Sequence, residues 1–309
     1  MIKTEIKNYL DYGRVLLITN DVIETYVTID VGPRIIRFGY VGGQNIMCDN
    51  RAAADPKDDQ EFQDFFGLGK KWEILGGHRI WTSPESYPQS YYPDLDPVKY
   101  EITENGAIFT PNAETQNGVQ KQLEIKMDPD DTNMFVTMNV TNIASQSQEF
   151  SIWGLTVSST GGTLIIPMNT NDTGLLANRN ISVWPYTNLA DSRLHFGNRY
   201  VTLRQDDAAT NALKLGFDLN HAELYYCLGD DIFRKSYATD HKREKYPDNN
   251  CSFETYTCAT FIEVESLSPL KKVQPGDTIS LTEHWSLLKK PCDVNFNSDT
   301  SIDEMLGKL

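Results

Sequence analysis

The chain has 309 residues, with 43 acidic and 28 basic side chains and a formal net charge of −15. Phosphate contacts need a positively charged footprint, so this composition argues against a nucleic-acid partner. No apolar run is as long as a membrane span, and the first residues lack the apolar centre of a secretory signal. We therefore predict a cytoplasmic protein that binds neither nucleic acid nor membranes.

Short segments of alternating or β-branched residues recur along the chain between Gly, Pro, Asn and Asp, a pattern typical of β-strands. The predicted strands are Arg14–Ile18, Glu24–Val31, Ile35–Tyr40, Gly118–Met127, Asn133–Val140, Gln148–Val157, Gly162–Pro167, Tyr200–Arg204, Ala222–Cys227, Ser252–Thr257, Thr260–Glu265 and Thr278–Leu287. Helical patterns are confined to Gln60–Phe66 and the C-terminal Ser301–Leu309, and Asn50–Asp59 is predicted to be a loop.

This strand-rich pattern contains no repeat of fixed period and no low-complexity linker, and it predicts an all-β fold. The simplest arrangement is a large antiparallel sandwich of two packed sheets. We expect a single domain over residues 1–309, in which residues 291–309 form a C-terminal tail with a short helix. The sequence leaves the oligomeric state open.

Three glutamates occupy the polar positions of the predicted strands Ser252–Thr257 and Thr260–Glu265, namely Glu254, Glu263 and Glu265. If the two strands form a tight hairpin, these side chains share one face, because residues two apart in a strand point the same way. Like charges that face each other across a ladder are destabilising. The cluster must therefore be solvated or held by an arginine, a lysine, a metal or a substrate.

A basic stretch at residues 235–246 stands out in this acidic chain. It is either a solvated loop or the source of a cation, Lys235 or Arg243, for the carboxylate face. The histidine, cysteine and glycine spacings contain no metal-ligand pair, nucleophile elbow or phosphate-binding loop. The motifs therefore predict neither a metal nor a cofactor, and they leave open whether the carboxylates hold an ion.

The run GGHRIWTSPE at residues 76–85 combines a glycine pair with His78, Arg79 and Trp81. The glycines allow a close approach of the backbone, and arginine recognises carboxylates or grouped hydroxyls in a bidentate manner. Trp81 can stack on a sugar ring. A turn beside a buried tryptophan is the competing interpretation, although loops often carry function. Tyr92 follows in a run of Tyr, Asp and Pro that is typical of ordinary turns.

Three segments together resemble the galactose-mutarotase-like superfamily, which includes aldose 1-epimerases and hexose-phosphate epimerases. They are VTIDVGPRIIRFGY at residues 27–40, GGHRIWTSPE at residues 76–85 and FIEVESLSPL at residues 261–270. The resemblance spans nearly the whole chain, although each motif is short. It implies a β-supersandwich and a small-molecule sugar, or a sugar derivative, as the ligand.

The resemblance implies that Glu265 is the base that takes the proton from the anomeric hydroxyl. In the family the acid is a histidine on a mid-chain strand, but residues 150–162 contain no histidine, so His78 is the expected substitute. The family's arginine before the glycine pair is also missing, since Leu75 stands there. The predicted substrate-binding residues are Arg79, Glu263, Trp81, Tyr92, Lys235, Trp153 and Glu254. We also expect at least one of Trp81, Tyr91, Tyr92 and Trp153 to stack on the ligand.

The implied activity is aldose 1-epimerase-like interconversion of sugar anomers by general acid/base catalysis. Because the family histidine is missing, a second interpretation stays open, namely a carbohydrate-binding protein that keeps the pocket without the chemistry. A glycosidase-like reaction is a third, weaker interpretation, since it requires a separation of two carboxylates that the sequence does not define.

Overall fold

The computed structural model describes residues 1–240, 244–291 and 293–307. The strands of the first half of the chain are β1 (Lys3–Asn8), β2 (Arg14–Thr19), β3 (Ile23–Thr28), β4 (Ile35–Tyr40), β5 (Gly77–Ser83), β6 (Lys99–Thr103), β7 (Gly106–Thr110), β8 (Val119–Met127), β9 (Asn133–Asn142) and β10 (Gln148–Ser158). The later strands are β11 (Thr163–Pro167), β12 (Ile181–Val183), β13 (Leu194–Phe196), β14 (Tyr200–Arg204), β15 (Leu213–Phe217), β16 (Ala222–Leu228), β17 (Asp231–Tyr237), β18 (Phe253–Thr257), β19 (Ile262–Leu267), β20 (Lys271–Val273) and β21 (Thr278–Lys289). The helical segments are α1 (Gln60–Phe66), the four-residue turn α2 (Pro247–Asn250) and α3 (Asp299–Leu306).

Two large antiparallel sheets form a sandwich, which confirms the predicted all-β fold. The first sheet has the order β1-β2-β3-β4-β5-β10-β19-β18-β15-β12, with β20 paired to β10. The second sheet has the order β13-β14-β11-β16-β17-β21-β9-β8-β7-β6. In the part of the chain that is described, no helix is long and apolar enough to cross a membrane.

The main hydrophobic core lies between the two sheets. Phe38 on β4 of the first sheet packs edge-on against Phe233 and Trp285 of the second, at ring distances of 5.8 and 5.4 Å. A smaller core lies on the opposite face of the first sheet, where Trp81 and Trp153 are covered by the segments between β4 and β5. This second core positions the site described below, because it is built on the outward face of the central strands.

Both predicted helices are present. The Gln60–Phe66 prediction matches α1, which begins after Asp59, whose side chain accepts a hydrogen bond from the Phe62 amide. The C-terminal helix begins two residues before the predicted start, at Asp299, and ends at Leu306; residues 308 and 309 lie outside the described ranges. The Asn50–Asp59 segment is a loop, as predicted, apart from one bridge between Lys57 and Trp72.

Two segments form strands in the centre of the sheets, although a turn or a loop was one interpretation of each in the sequence. The glycine-pair run forms β5, where a side chain on Gly77 would meet the Ile35 carbonyl oxygen at 2.2 Å. The glycine pair therefore allows neighbouring backbone to approach closely. The first part of the basic stretch forms the end of β17, between β16 and β21. Both runs contain charged residues, which hid the strand pattern.

Candidate functional site

The candidate site is built on five neighbouring strands of the first sheet, β5, β10, β19, β18 and β15. One row of paired residues crosses four of them, from Arg79 through Leu155 and Glu265 to Glu254. A parallel row runs from Glu263 through Tyr256 to Lys214. Because side chains alternate along each strand, all members of these rows lie on the outward face of the sheet.

The predicted hairpin of β18 and β19 is present, and it places the three glutamates on one face. Glu254 lies directly opposite Glu265, and Glu263 lies two residues earlier on the same strand. Glu254 and Glu265 are almost fully buried, at 1% and 0% exposure. Solvation therefore does not disperse their charge, and the protein must supply partners.

Arg79 and Lys214 are those partners. Arg79 pairs with Glu263 at 3.0 Å, and its guanidinium lies 4.5 Å from the centre of the Trp81 ring. Lys214 Nζ lies 2.9 Å from Glu254 Oε2 and 3.4 Å from Glu265 Oε2. Arg79 was expected from the sequence, whereas Lys214 was not. Arg243, the other cation that the sequence suggested, lies outside the described residues.

Two tryptophans position the Lys214 ammonium and the Glu265 carboxylate. Lys214 Nζ lies 4.5 Å from the Trp153 ring centre and 4.8 Å from that of Trp184. Aromatic faces attract a cation held in this way. Trp153 also donates a hydrogen bond from Nε1 to Glu265 Oε2 at 2.9 Å. The Glu265 carboxylate is thus held through Oε2, while its Oε1 has no hydrogen-bond partner among the described residues.

The charges of this cluster are unbalanced, since one ammonium serves two buried carboxyl groups. Burial raises the pKa of Glu265 to about 7; repulsion by Glu263 acts in the same direction and attraction by Lys214 opposes both. Burial also raises the pKa of Glu254 well above its ordinary value. For Lys214, attraction by Glu265 and Glu254 outweighs the effect of burial and raises the pKa of the ammonium. Near neutral pH the cluster therefore holds a proton on a carboxyl group.

An open cleft lies above this cluster and has two compartments. The larger, of about 830 Å³, has aromatic walls that include Trp72, Trp81, Tyr91 and Tyr256, and it contains Arg79 and Glu263. The smaller, of about 680 Å³, is lined by Glu85, Tyr87, Trp153, Trp184, Lys214, Asp248 and Glu254. Glu85, Trp153 and Lys214 line both compartments, so the two form one continuous depression.

The turn α2 carries Asp248 to the wall of the smaller compartment. Asp248 and Asn249 have left-handed backbone angles, with φ of 50° and 64°, which cost roughly 1–2 kcal/mol per residue for L-amino acids. The Ser182 hydroxyl and the Cys251 thiol both donate to the Asp248 carbonyl oxygen, at 2.9 and 3.0 Å. These contacts hold a strained turn at the site, which is where such strain is commonly found.

Most of the predicted site residues come together in this cleft. Arg79, Trp81, Trp153, Glu254 and Glu263 all line it. Glu265 lies directly beneath its floor, in contact with Trp153 and Lys214. The aromatic and acidic residues of the prediction therefore form one group.

His78 does not reach the cleft, contrary to the expectation that it replaces the family acid. It neighbours Arg79 on β5 and so points to the opposite face, into the core between the sheets, where its ring packs 5.2 Å from Trp285. Its Nδ1 lies 2.9 Å from Thr156 Oγ1. Burial lowers the pKa of His78 well below its ordinary value, and Lys235 acts in the same direction, so the imidazole is neutral.

Lys235 also lies between the sheets and not in the cleft. Its Nζ contacts Glu283 Oε1 at 2.9 Å, Thr156 Oγ1 at 2.8 Å and the Val264 carbonyl oxygen at 2.9 Å. The expectation that it binds substrate is therefore corrected. It supports β10 and β19 from behind, because Thr156 and Val264 are neighbours of the cleft residues on those strands.

Tyr92 lies outside the cleft as well, since the chain turns away after Tyr91. Its ring packs at 5.7 Å against Phe66, and its hydroxyl donates to the Ala113 carbonyl oxygen at 3.4 Å. It lines a separate, narrow depression that also contains Arg34 and Asp94. The expectation that Tyr92 binds substrate in this cleft is corrected, and Tyr91 takes the position on the wall.

Sequence reasoning also missed Trp184, Glu85 and Asp248. Asp248 carried a detectable signal, because the run Asp248–Asn250 consists of the residue types that most readily adopt left-handed backbone angles. Trp184 follows the short strand β12 and carried none. Across the ranges that the structure describes, no group of His, Cys, Asp and Glu is arranged to hold a metal ion.

Solved structures with the same fold cover almost the whole chain. A candidate aldose 1-epimerase from Klebsiella pneumoniae is 11% identical, with 93% of this chain and 83% of that chain aligned at a TM-score of 0.58. A candidate mutarotase (YeaD) from Salmonella typhimurium is 9% identical, with 93% and 94% aligned at a TM-score of 0.56. A galactose mutarotase-like protein from Clostridium acetobutylicum is 10% identical, with 93% and 99% aligned at 0.53.

At such low identities the likeness establishes the fold alone. The chain has the galactose-mutarotase-like fold, which confirms the resemblance seen in the sequence at that level. No family model matches the sequence. No curated protein matches it either.

Proposed function

We propose that the protein is an aldose 1-epimerase-like isomerase that interconverts the anomers of a sugar in the cleft. The observation that carries this proposal is the buried cluster of Glu254, Glu265 and Lys214 beneath an aromatic cleft. Carboxyl groups with pKa values near or above neutrality can exchange protons with a substrate at physiological pH. The fold supports the same conclusion, since several solved structures that share it are candidate sugar epimerases.

In this proposal Glu265 is the base that removes the proton of the anomeric hydroxyl. Its pKa of about 7 suits a general base, and its Oε1 has no hydrogen-bond partner among the described residues. Glu263 and Arg79 bind sugar hydroxyls, because both line the cleft and each can form hydrogen bonds to them. Trp81 and Trp153 supply apolar faces on which a pyranose can stack.

Replacing Glu265 by Gln tests the base. The amide keeps the shape of the side chain but accepts no proton, so we expect the rate of anomer interconversion to fall by about 10²–10⁴-fold. The rate is measured by polarimetry or NMR on a panel of aldoses, starting from a single anomer. Full activity of Glu265→Gln would show that the base is a different residue.

Glu263→Gln is the matched control, since it changes a carboxylate two residues away on the same face. We expect its main effect on the Michaelis constant, because Glu263 is assigned to binding. A larger loss of kcat in Glu263→Gln than in Glu265→Gln would exchange the two assignments.

A sugar-binding protein without catalysis is the second candidate. It is favoured by the complete burial of Glu265 and by the position of His78, which leaves no histidine on the cleft among the described residues. Tryptophan fluorescence reports binding for either candidate, since Trp153 and Trp184 line the cleft, and the rate of anomer interconversion distinguishes them. A parent protein that binds hexoses at millimolar concentration but does not accelerate the interconversion of a single anomer over the spontaneous rate supports the second candidate.

A further inference from the structure

We propose that Glu254 is the general acid of this cleft, the group that protonates the ring oxygen of an aldose. The inference rests on the proposed function, and it gives Glu254 the role of the acid, for which His78 was expected. It is carried by the position of Glu254, its missing hydrogen-bond partner and the unequal surroundings of the two paired carboxyl groups.

Glu254 can be reached from the cleft, because it lines the smaller compartment. Glu254 Oε1 is buried and has no hydrogen-bond partner among the described residues. A buried polar oxygen without a partner is costly, so it is a position at which a substrate atom can complete the contacts.

The two carboxyl groups share one cation. Glu254 and Glu265 are directly opposed on β18 and β19, and both contact Lys214 Nζ. Two adjacent buried carboxylates with one ammonium between them retain a proton, because a second negative charge is not compensated. The pair is therefore equipped to give one proton and to take one.

The retained proton lies on Glu254, because the two carboxyl groups have different surroundings. Glu265 accepts a hydrogen bond from Trp153 Nε1, which stabilises its ionised form. No such donor contacts Glu254 among the described residues, apart from the shared Lys214. The pKa of Glu254 is raised well above its ordinary value, in agreement with this difference in surroundings. Unequal environments of this kind separate an acid from a base in a carboxyl pair.

The protons balance over the reaction. Glu265 takes the proton from the anomeric hydroxyl, the carbonyl double bond forms, and the C1–O5 bond breaks. Its electron pair goes to the ring oxygen, which receives the proton of Glu254. After rotation about the C1–C2 bond, the same steps run in reverse on the other face of the carbonyl group. Both carboxyl groups return to their initial states without a further reactant.

The test is Glu254→Gln, assayed for anomer interconversion across pH and for sugar binding by tryptophan fluorescence. We expect the rate to fall by about 10²–10⁴-fold while the sugar still binds. The parent should lose activity at high pH as the acid ionises, and this fall is the alkaline limb of its pH–rate profile. The residual activity of Glu254→Gln should lack this limb. Infrared spectroscopy of the parent at neutral pH should show a protonated carboxyl band that the variant lacks.

Glu114→Gln is the matched control. Glu114 is also a buried glutamate paired to a lysine, Lys121, at 2.5 Å, but it lies outside the cleft. We expect its rate and its alkaline limb to equal those of the parent.

Three results would overturn the inference. An active parent with an equally active Glu254→Gln removes Glu254 from the mechanism and leaves the proposed function intact. An unchanged alkaline limb in the variant shows that another group is the acid. A parent that is inert on every aldose ends both the proposed function and this assignment.

Discussion

Trp153 links sugar binding to the chemistry of Glu265, because one face of its ring lines the cleft while its Nε1 donates to the carboxylate. We expect Trp153→Phe to raise the pKa of Glu265, since the hydrogen bond stabilises the ionised form. A hydrogen bond to a charged group contributes about 1.5–3 kcal/mol, which corresponds to a shift of about one pH unit or more.

The sign of this effect follows from the role of Glu265. A base must be ionised, so activity of the parent falls as the pH drops through about 7. In Trp153→Phe the same loss should begin at a higher pH, which initial rates across pH will detect. Trp81→Phe removes a neighbouring indole without touching this hydrogen bond, and its acidic limb should stay in place. Equal acidic limbs in the parent and Trp153→Phe would contradict the link.

The sequence predicted the carboxyl groups of the site better than their partners. Alternation along two predicted strands joined by a tight hairpin placed Glu254, Glu263 and Glu265 on one face, since both the period of a strand and a tight hairpin are local features. Lys214 belongs to β15, which reaches the site only through its pairing with β18. Long-range pairing is not encoded in local spacing, so this cation could not be identified from the sequence.

At the scale of elements, β5 and β10 each present one face to the cleft and the other to the core between the sheets. The sequence did not identify β5 as a strand, so both His78 and Arg79 were assigned to the site. Adjacent residues of a strand point to opposite faces, and Arg79 alone of the two lines the cleft. Strand β10 was predicted almost to its ends, because its long apolar run is a strong signal, whereas β17 was hidden by its charged residues.

Lys235 on β17 and Glu283 on β21 form a buried ion pair at 2.9 Å behind the cleft strands. Removing one member leaves a buried charge without compensation, so we expect Lys235→Met to lower the free energy of unfolding by about 3–5 kcal/mol. Urea denaturation followed by circular dichroism measures this change.

The double variant Lys235→Met with Glu283→Gln is the control for this pair. It removes both charges, and we expect it to recover part of the lost stability. If Lys235→Met alone is as stable as the parent, the buried ion pair does not contribute the stability expected of it. The single variant also tests the position of Lys235, since a cleft residue would affect sugar binding more than stability.

At the scale of the whole molecule, strands from both halves of the chain build the same core. The first sheet joins β1–β5 to β10, β19, β18, β15 and β12, and the second joins β6–β9 to β21 and β17. Each sheet therefore contains strands from both halves of the chain. This arrangement supports the sequence-based expectation of a single domain over residues 1–309, which calls for a direct test.

We expect the chain to unfold in one cooperative transition. Its five tryptophans report on two regions, since Trp285 lies in the core between the sheets while the other four lie near the cleft. Tryptophan fluorescence and far-ultraviolet circular dichroism should therefore give coincident urea curves. Calorimetric and van't Hoff enthalpies should also agree, because both sheets lose their shared core together. Two separated transitions, one seen mainly by fluorescence and one by circular dichroism, would show that the cleft face and the sandwich are independent folding units.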